Sequence, residues 1–163
     1  MTGDRTITIR GMIDGPTADL VAAQLLGYAD TGPEPITLEI ESPGGAIDAA
    51  FAVIDTMAYV DAPVATRASG RVAGTAALIV ACGTKALRSA AFDTRFTLRP
   101  SIEPEPGTTG ATGDAAVAKV AAIIDRFILE HSTISEAQLN DPELAAAISA
   151  ERALALGLID RID

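Results

Sequence analysis

The chain has 163 residues, 48% of them apolar, which is enough for one compact core and too few for two ordinary domains. Its net charge of −10 argues against a nucleic-acid partner, because nonspecific affinity for phosphate backbones comes from clustered Lys and Arg. A single cysteine, Cys82, and a single histidine, His131, exclude an internal disulfide and a zinc site built from several such side chains, so we expect no metal and no cofactor.

The first half of the chain alternates between strand and helix patterns. Residues 6–10 (TITIR) and 36–41 (ITLEIE) alternate apolar with polar side chains, which predicts two strands. Helical spacing of apolar residues predicts helices over 15–30 and 46–60. The segment SPGG at 42–45 separates the second strand from the helix that follows it.

The middle of the chain continues with shorter elements. We expect a strand at 63–69 and a buried helix of small residues at 72–83. Two more strands are predicted at 85–90 and 95–100. A segment rich in Pro, Gly and Thr at 101–113 predicts a loop.

The longest helix is predicted at 114–131, where Asp114 complements the positive end of the helix dipole. Residues 149–163 should form a short helix, a stop at Gly157 and a last strand. Strands that alternate with helices in this way predict an α/β fold with mostly parallel pairing.

Four segments resemble, in this order, the proteolytic subunit of the Clp protease (ClpP) family: LEIESPGGAIDAAFAVIDTM, GRVAGTAALIVACG, KALRSAAFDTRFTLRP and SAERALALGLID. The resemblance implies a ClpP/crotonase-like spiral of strand-strand-helix units in a single domain, residues 1–163. It also implies seven-membered rings that stack through a protruding handle helix, which residues 114–131 match. Only Met1–Asp4 precede the segment RTITIR, so we expect the family's N-terminal axial segment to be absent.

The resemblance also assigns the triad of a serine peptidase, and all three positions are altered. In the family, the nucleophilic serine lies four residues after one glycine and nine before another, and counting from Gly70 and from Gly83 places it at Gly74 both times. The histidine base corresponds to Arg99, which stays protonated and cannot act as a general base. The aspartate that orients the base corresponds to Ala145.

Three nearby residues could be considered as substitutes. Thr75 would be a nucleophile only if the register slipped by one residue, which both glycine anchors oppose. Asp141 could replace the aspartate after a loop shift, although an N-cap ahead of Pro142 is the preferred interpretation. His131 falls at the end of the handle helix, where we expect it to face solvent or a subunit contact.

The oxyanion cradle remains in the sequence. Gly44 and Gly45 precede a predicted helix, and Gly45 and Thr75 match the family's two N–H donors. The resemblance implies that the Thr75 side chain points elsewhere. Together with Arg99 these donors predict an anion-binding site. The alternative interpretation is that the glycines serve only the tight turn between strand and helix.

The residues leave several functions open. The first is a ClpP-like pseudopeptidase that assembles into rings, alone or mixed with an active paralogue. The alternative is a non-proteolytic enzyme that uses the oxyanion cradle in crotonase-like acyl or enolate chemistry. A third is a binding module in which Arg99 captures a peptide or another carboxylate, unless Glu103 or Glu105 of the adjacent loop pairs with Arg99. Because we find neither a leader nor an apolar run long enough to span a bilayer, we expect a cytoplasmic protein with no membrane partner.

Overall fold

The computed structural model of the chain describes residues 4–99 and 111–163. The strands are β1 Thr6–Arg10, β2 Ile36–Ser42, β3 Val64–Ala73, β4 Arg88–Ala90, β5 Arg95–Thr97, β6 Ile148–Ser149 and β7 Arg161–Ile162. The helices are α1 Gly15–Thr31, α2 Ile47–Tyr59, α3 Thr75–Ala81, α4 Ala111–His131, α5 Glu136–Leu139, α6 Pro142–Ala145 and α7 Ala150–Ala155.

The sheet follows the order β1-β2-β3-β4-β7, and every pairing along this path is parallel. β5 leaves the path, because it pairs in parallel with the last residues of β3 and antiparallel with β6. The predicted α/β fold with mostly parallel strands is therefore confirmed.

The core lies on one face of the sheet. Ile7 and Ile9 of β1 alternate with exposed neighbours, and β2 buries its own alternate residues in the same way. α1, α2 and α3 cover this face, and every residue of α3 is buried. Of the helices within the described residues, none combines the length and the apolar content that crossing a membrane would require.

The handle helix is α4, and it packs through its C-terminal half. Ile124 and Ile128 are buried in the core, and the Phe127 ring meets the Phe51 ring of α2 edge-on, with centroids 4.7 Å apart. Residues 114–116 near its beginning are exposed. This pattern agrees with the protruding handle that the resemblance implies.

Arg88 ties the C-terminal elements to the sheet. Its side chain is 6% exposed, and its Nη2 donates to Asp160 Oδ1 at 2.7 Å. Its Nη1 donates to the carbonyl oxygens of Ala81 at 3.1 Å and His131 at 3.0 Å. The hydrogen bond from Arg88 holds the pKa of Asp160 below its usual range, against burial, which raises it. α3, α4 and the segment before β7 therefore meet at one guanidinium.

Several element boundaries differ from the sequence predictions: the strand predicted at 85–90 begins at Arg88, and the strand predicted at 95–100 ends at Thr97. β3 extends to Ala73, because its last three residues pair with β5, so the following helix begins at Thr75 rather than at 72. α4 begins at Ala111, so residues 111–113 are helical and not part of the predicted loop. Residues 101–110 of that loop lie outside the described residues.

Two short elements, α5 and β6, were absent from the predictions, and α6 was implied only by the N-cap expected at Asp141. α5 is closed by a capping box in which Ser135 Oγ accepts from the Gln138 amide and the Gln138 side chain accepts from the Ser135 amide. β6 is defined by its antiparallel pairing with β5. A strand of two residues has no sequence pattern from which this long-range pairing could be predicted.

Candidate functional site

A sharp turn at Gly74 leads from β3 into α3. Gly74 adopts φ +55° and ψ −121°, a conformation that strains residues with a side chain and that glycine accepts freely. Its amide donates to the Thr97 carbonyl at 2.8 Å, which anchors the turn to β5. Hydrolases present a nucleophile on a strained strand-to-helix turn of this kind. The backbone at position 74 therefore has the conformation of a turn that carries a nucleophile, but glycine provides no hydroxyl.

The glycines of the SPGG segment allow two backbones to approach closely. A Cβ on Gly45 would lie 2.1 Å from the Ile13 carbonyl oxygen. Gly44 has φ +93°, and a Cβ there would lie 2.7 Å from the Ala73 carbonyl oxygen. Backbone hydrogen bonds join Ile13 to Gly44 at 3.0 Å and Ala46 to Ile13 at 2.8 Å. Close packing is thus sufficient to explain both glycines.

The amides of this segment have partners inside the protein. Gly44 N donates to Ser42 Oγ at 3.0 Å, and Gly45 N donates to Thr75 Oγ1 at 2.9 Å. Thr75 is 5% exposed. The resemblance implied that this side chain points away from the cradle, and instead it turns toward Gly45 and accepts from its partly buried amide.

Arg99 extends from the end of β5 to the handle helix. Its Nε donates to Asp125 Oδ1 at 2.8 Å, its Nη2 donates to Asp125 Oδ2, and its Nη1 lies 3.4 Å from Asn140 Oδ1. A planar guanidinium suits this two-point contact with a carboxylate. Glu103 and Glu105, the partners considered from sequence, lie outside the described residues. The anion site formed by Arg99 with Gly44, Gly45 and Thr75 stays a prediction, and the internal partners of these groups argue against it.

The resemblance assigns the third triad position to Ala145, whose side chain has no carboxylate. Ala145 is exposed at the end of α6. Asp141 caps that helix, since its Oδ1 accepts from the Glu143 amide at 2.9 Å, which confirms the N-cap interpretation. His131 ends α4 with its ring stacked on Phe127, the centroids 5.4 Å apart. Its Nδ1 is 3.0 Å from the Phe127 carbonyl oxygen.

Sequence reasoning missed two residues of this region, Asp125 and Asn140. Asp125 follows the buried Ile124 and has the spacing of a solvent-facing position on an amphipathic helix. Only the fold, which brings Arg99 beside a residue 26 positions away, shows that Asp125 has a specific partner.

A family model described as Clp protease matches residues 1–163. The chain belongs to the Clp protease family. It is 32% identical over 166 aligned positions to an ATP-dependent Clp protease proteolytic subunit-like protein of Streptomyces coelicolor, with 98% of this chain and 78% of that protein covered.

Proposed function

We propose that this Clp protease family member is a pseudopeptidase that acts by assembling with other subunits. The observation that carries the proposal is Gly74, a residue without a side chain at the strand-to-helix turn where a nucleophile belongs. Acyl transfer by a serine peptidase needs a hydroxyl, a base that takes its proton, and a group that orients the base. Arg99 and Ala145 supply neither of the last two.

An uncovered sheet face supports assembly. Parallel sheets are almost always covered on both faces, and within residues 4–99 and 111–163 the helices α1, α2 and α3 cover only one. The opposite face carries exposed polar side chains such as Thr8 of β1 and Arg67 of β3. A groove of about 370 Å³ lies at the carboxyl ends of β1 and β2, between Arg10, Glu41 and Arg71. We propose that a neighbouring subunit covers this sheet face.

The charges on the two sides of the molecule are complementary. α1 and α2 contain no Lys or Arg, and they expose acidic side chains, namely Asp19, Asp30, Asp48 and Asp55. The sheet face exposes arginines, namely Arg10, Arg67, Arg71, Arg95 and Arg161. Arg10 pairs with Glu41, and Arg67 and Arg161 pair with Asp163, which leaves an excess of positive charge on this face. Contact between the sheet face of one copy and the helix face of the next would join two different surfaces. A heterologous contact of this type closes into rings when the rotation permits.

The same surfaces allow mixed rings with an active paralogue. A subunit that keeps the family fold could occupy a ring position without contributing an active site. We therefore propose that the chain forms homo-oligomers and enters mixed rings.

Native mass spectrometry of the purified chain, alone and mixed with an active paralogue from the same source, tests the assembly. We expect a mass of several subunits for the chain alone and mixed species in the mixture. A monomer at micromolar concentration in both samples would contradict assembly. A serine-directed fluorophosphonate probe tests the lost chemistry, and stoichiometric labelling at Thr75 would contradict the pseudopeptidase assignment.

A further inference from the structure

We infer that the Thr75 hydroxyl is a built-in occupant of the oxyanion cradle, which closes this site to external oxyanions. The inference deepens the proposed function, because it adds a block to catalysis that is separate from Gly74 and Arg99. Its test reads the cradle directly and does not depend on whether the protein hydrolyses peptides.

The geometry of one hydrogen bond carries the inference. The family position for oxyanion donation is the Gly45 amide, and this amide donates to Thr75 Oγ1 at 2.9 Å. Thr75 also supplies the other expected donor, its own backbone amide. The hydroxyl therefore takes one N–H of the cradle and projects from the residue that carries the second. An incoming oxyanion would have to displace it.

The space around the hydroxyl is also filled. A Cβ on Gly44 would lie 3.1 Å from Thr75 Oγ1 and 3.2 Å from Thr75 N, so the threonine is packed directly against the glycine segment. Thr75 is 5% exposed, and the hydroxyl lies 3.4 Å from the Gly45 carbonyl oxygen. The hydroxyl thus occupies the interior of the cradle and not its rim.

The neighbouring amides of the SPGG segment also donate hydrogen bonds to acceptors within the protein. Ser42 Oγ accepts from the Gly44 amide at 3.0 Å and donates to the Gly11 carbonyl at 2.6 Å. The Ala46 amide donates to the Ile13 carbonyl at 2.8 Å. Successive amides from Gly44 to Ala46 therefore all have acceptors within the protein. Turning one of them toward a ligand would break an existing bond and leave its acceptor unpaired.

Three substitutions at position 75 separate the contributions of the hydroxyl and of its volume. Thr75→Ser keeps the acceptor and is the matched control. Thr75→Val keeps the shape and removes the acceptor. Thr75→Ala removes both and leaves room for a small anion.

The first measurement is the hydrogen exchange rate of the Gly45 amide by NMR, with Leu38 and Ile40 amides of β2 as internal references. We expect Thr75→Val and Thr75→Ala to exchange at Gly45 about tenfold faster or more, because the amide loses its buried acceptor. Thr75→Ser should stay close to the wild type. An unchanged Gly45 rate in Thr75→Val, with the reference amides also unchanged, would overturn the inference.

The second measurement is a titration with sodium acetate, followed by the Gly45 amide signal and controlled with equal sodium chloride. We expect a saturating shift in Thr75→Ala and none in the wild type or Thr75→Ser. A saturating shift in the wild type would show an open cradle and overturn the inference, as would the absence of a shift in Thr75→Ala. Peptidase activity in the wild type would contradict the proposed function and would leave both of these readouts interpretable.

Discussion

The Arg99 guanidinium donates hydrogen bonds to both carboxylate oxygens of Asp125, and this pair connects the end of β5 to the handle helix. The family resemblance assigns a histidine base to position 99, and in this chain the same position fastens two elements together. Arg99 also reaches toward Asn140 at the end of α5, next to the helix cap at Asp141. Arg99 therefore has a structural partner on the handle helix.

Breaking the Arg99–Asp125 pair should loosen the handle helix. Arg99 and Asp125 side chains are 33% and 25% exposed, so solvent screens the pair and its coupling energy should be about 1 kcal/mol. A double-mutant cycle with Arg99→Gln and Asp125→Asn, followed by urea unfolding, measures this coupling. Arg126→Gln on the same helix is the matched control, because Arg126 pairs with Glu130 on the surface. If the effects of Arg99→Gln and Asp125→Asn were additive, the pair would contribute nothing to stability.

Restoring a serine at position 74 should not restore peptidase activity. Gly74→Ser would place a hydroxyl on the turn with Arg99 in place of a base, and Gly74→Ser with Arg99→His would still lack the orienting aspartate. The positive φ should also destabilise the variant by about 1–3 kcal/mol. Gly74→Ala is the matched control, since it carries the same strain without a hydroxyl. Fluorogenic peptide hydrolysis and urea unfolding check both expectations, and robust turnover by the single variant would mean that the base has been misplaced.

The strand pattern and the motif order in the sequence were sufficient to predict the fold. Alternation over residues 36–41 gives β2 directly, because each apolar side chain of that strand faces the same core. The family motifs placed Gly74 at the turn before α3, where the structure has it. These features depend on local periodicity and on fixed spacing, both of which a sequence carries.

The contacts inside the site could not be predicted in the same way. The Thr75 hydroxyl bonds to an amide 30 residues earlier, and nothing local to residue 75 indicates which way its side chain turns. The Arg99–Asp125 pair likewise joins residues from two separate elements. Predicting Glu103 or Glu105 as the partner relied on closeness in sequence, and both residues lie outside the described part of the chain. Within the described residues, the carboxylate that Arg99 binds is Asp125 of the handle helix.

The stability of the protein should fall in acid as Asp160 becomes protonated. The hydrogen bond from the buried Arg88 lowers the pKa of Asp160 in the folded state relative to the ordinary value of 3.8. The folded state therefore gains stability above that value and loses it as the pH falls through the lowered pKa. Asp160→Asn should cost about 1–3 kcal/mol at neutral pH, and its deficit should shrink in acid. Urea unfolding from neutral pH down through the lowered pKa of Asp160 measures this loss of stability, and Asp93→Asn at an exposed position is the control. If the loss caused by Asp160→Asn were the same at every pH, the Arg88–Asp160 pair would not be the source of the acid sensitivity.

Reversing a charge on the open sheet face should weaken assembly. Arg71 is exposed beside Arg10 and Glu41 in the groove that we propose a neighbouring subunit covers. Arg71→Glu would repel the acidic face formed by α1 and α2, whereas Lys85→Glu changes the same charge in the exposed turn before β4. We expect sedimentation velocity to show more monomer for Arg71→Glu than for the control, and more for the wild type in high salt, where screening is stronger. Equal sedimentation of both variants would exclude this face as the interface.

Contacts between rings should depend on the handle helix. Ile123 of α4 is half-buried and Ala116 is exposed, and both lie away from the stripe of Ile124 and Ile128 that packs on the subunit's own core. Ile123 and Ala116 therefore form an apolar strip on a side of α4 that a second copy of the helix could contact. Ile123→Glu would bury a carboxylate in that contact without a partner, so we expect stacked rings to separate into single rings. Ala118→Glu adds the same charge at an exposed position on another side of the helix and should leave stacking intact. Native mass spectrometry distinguishes the two assemblies directly, because separation of stacked rings halves the mass. If both variants kept the wild-type mass, the exposed strip of α4 would have no role in stacking.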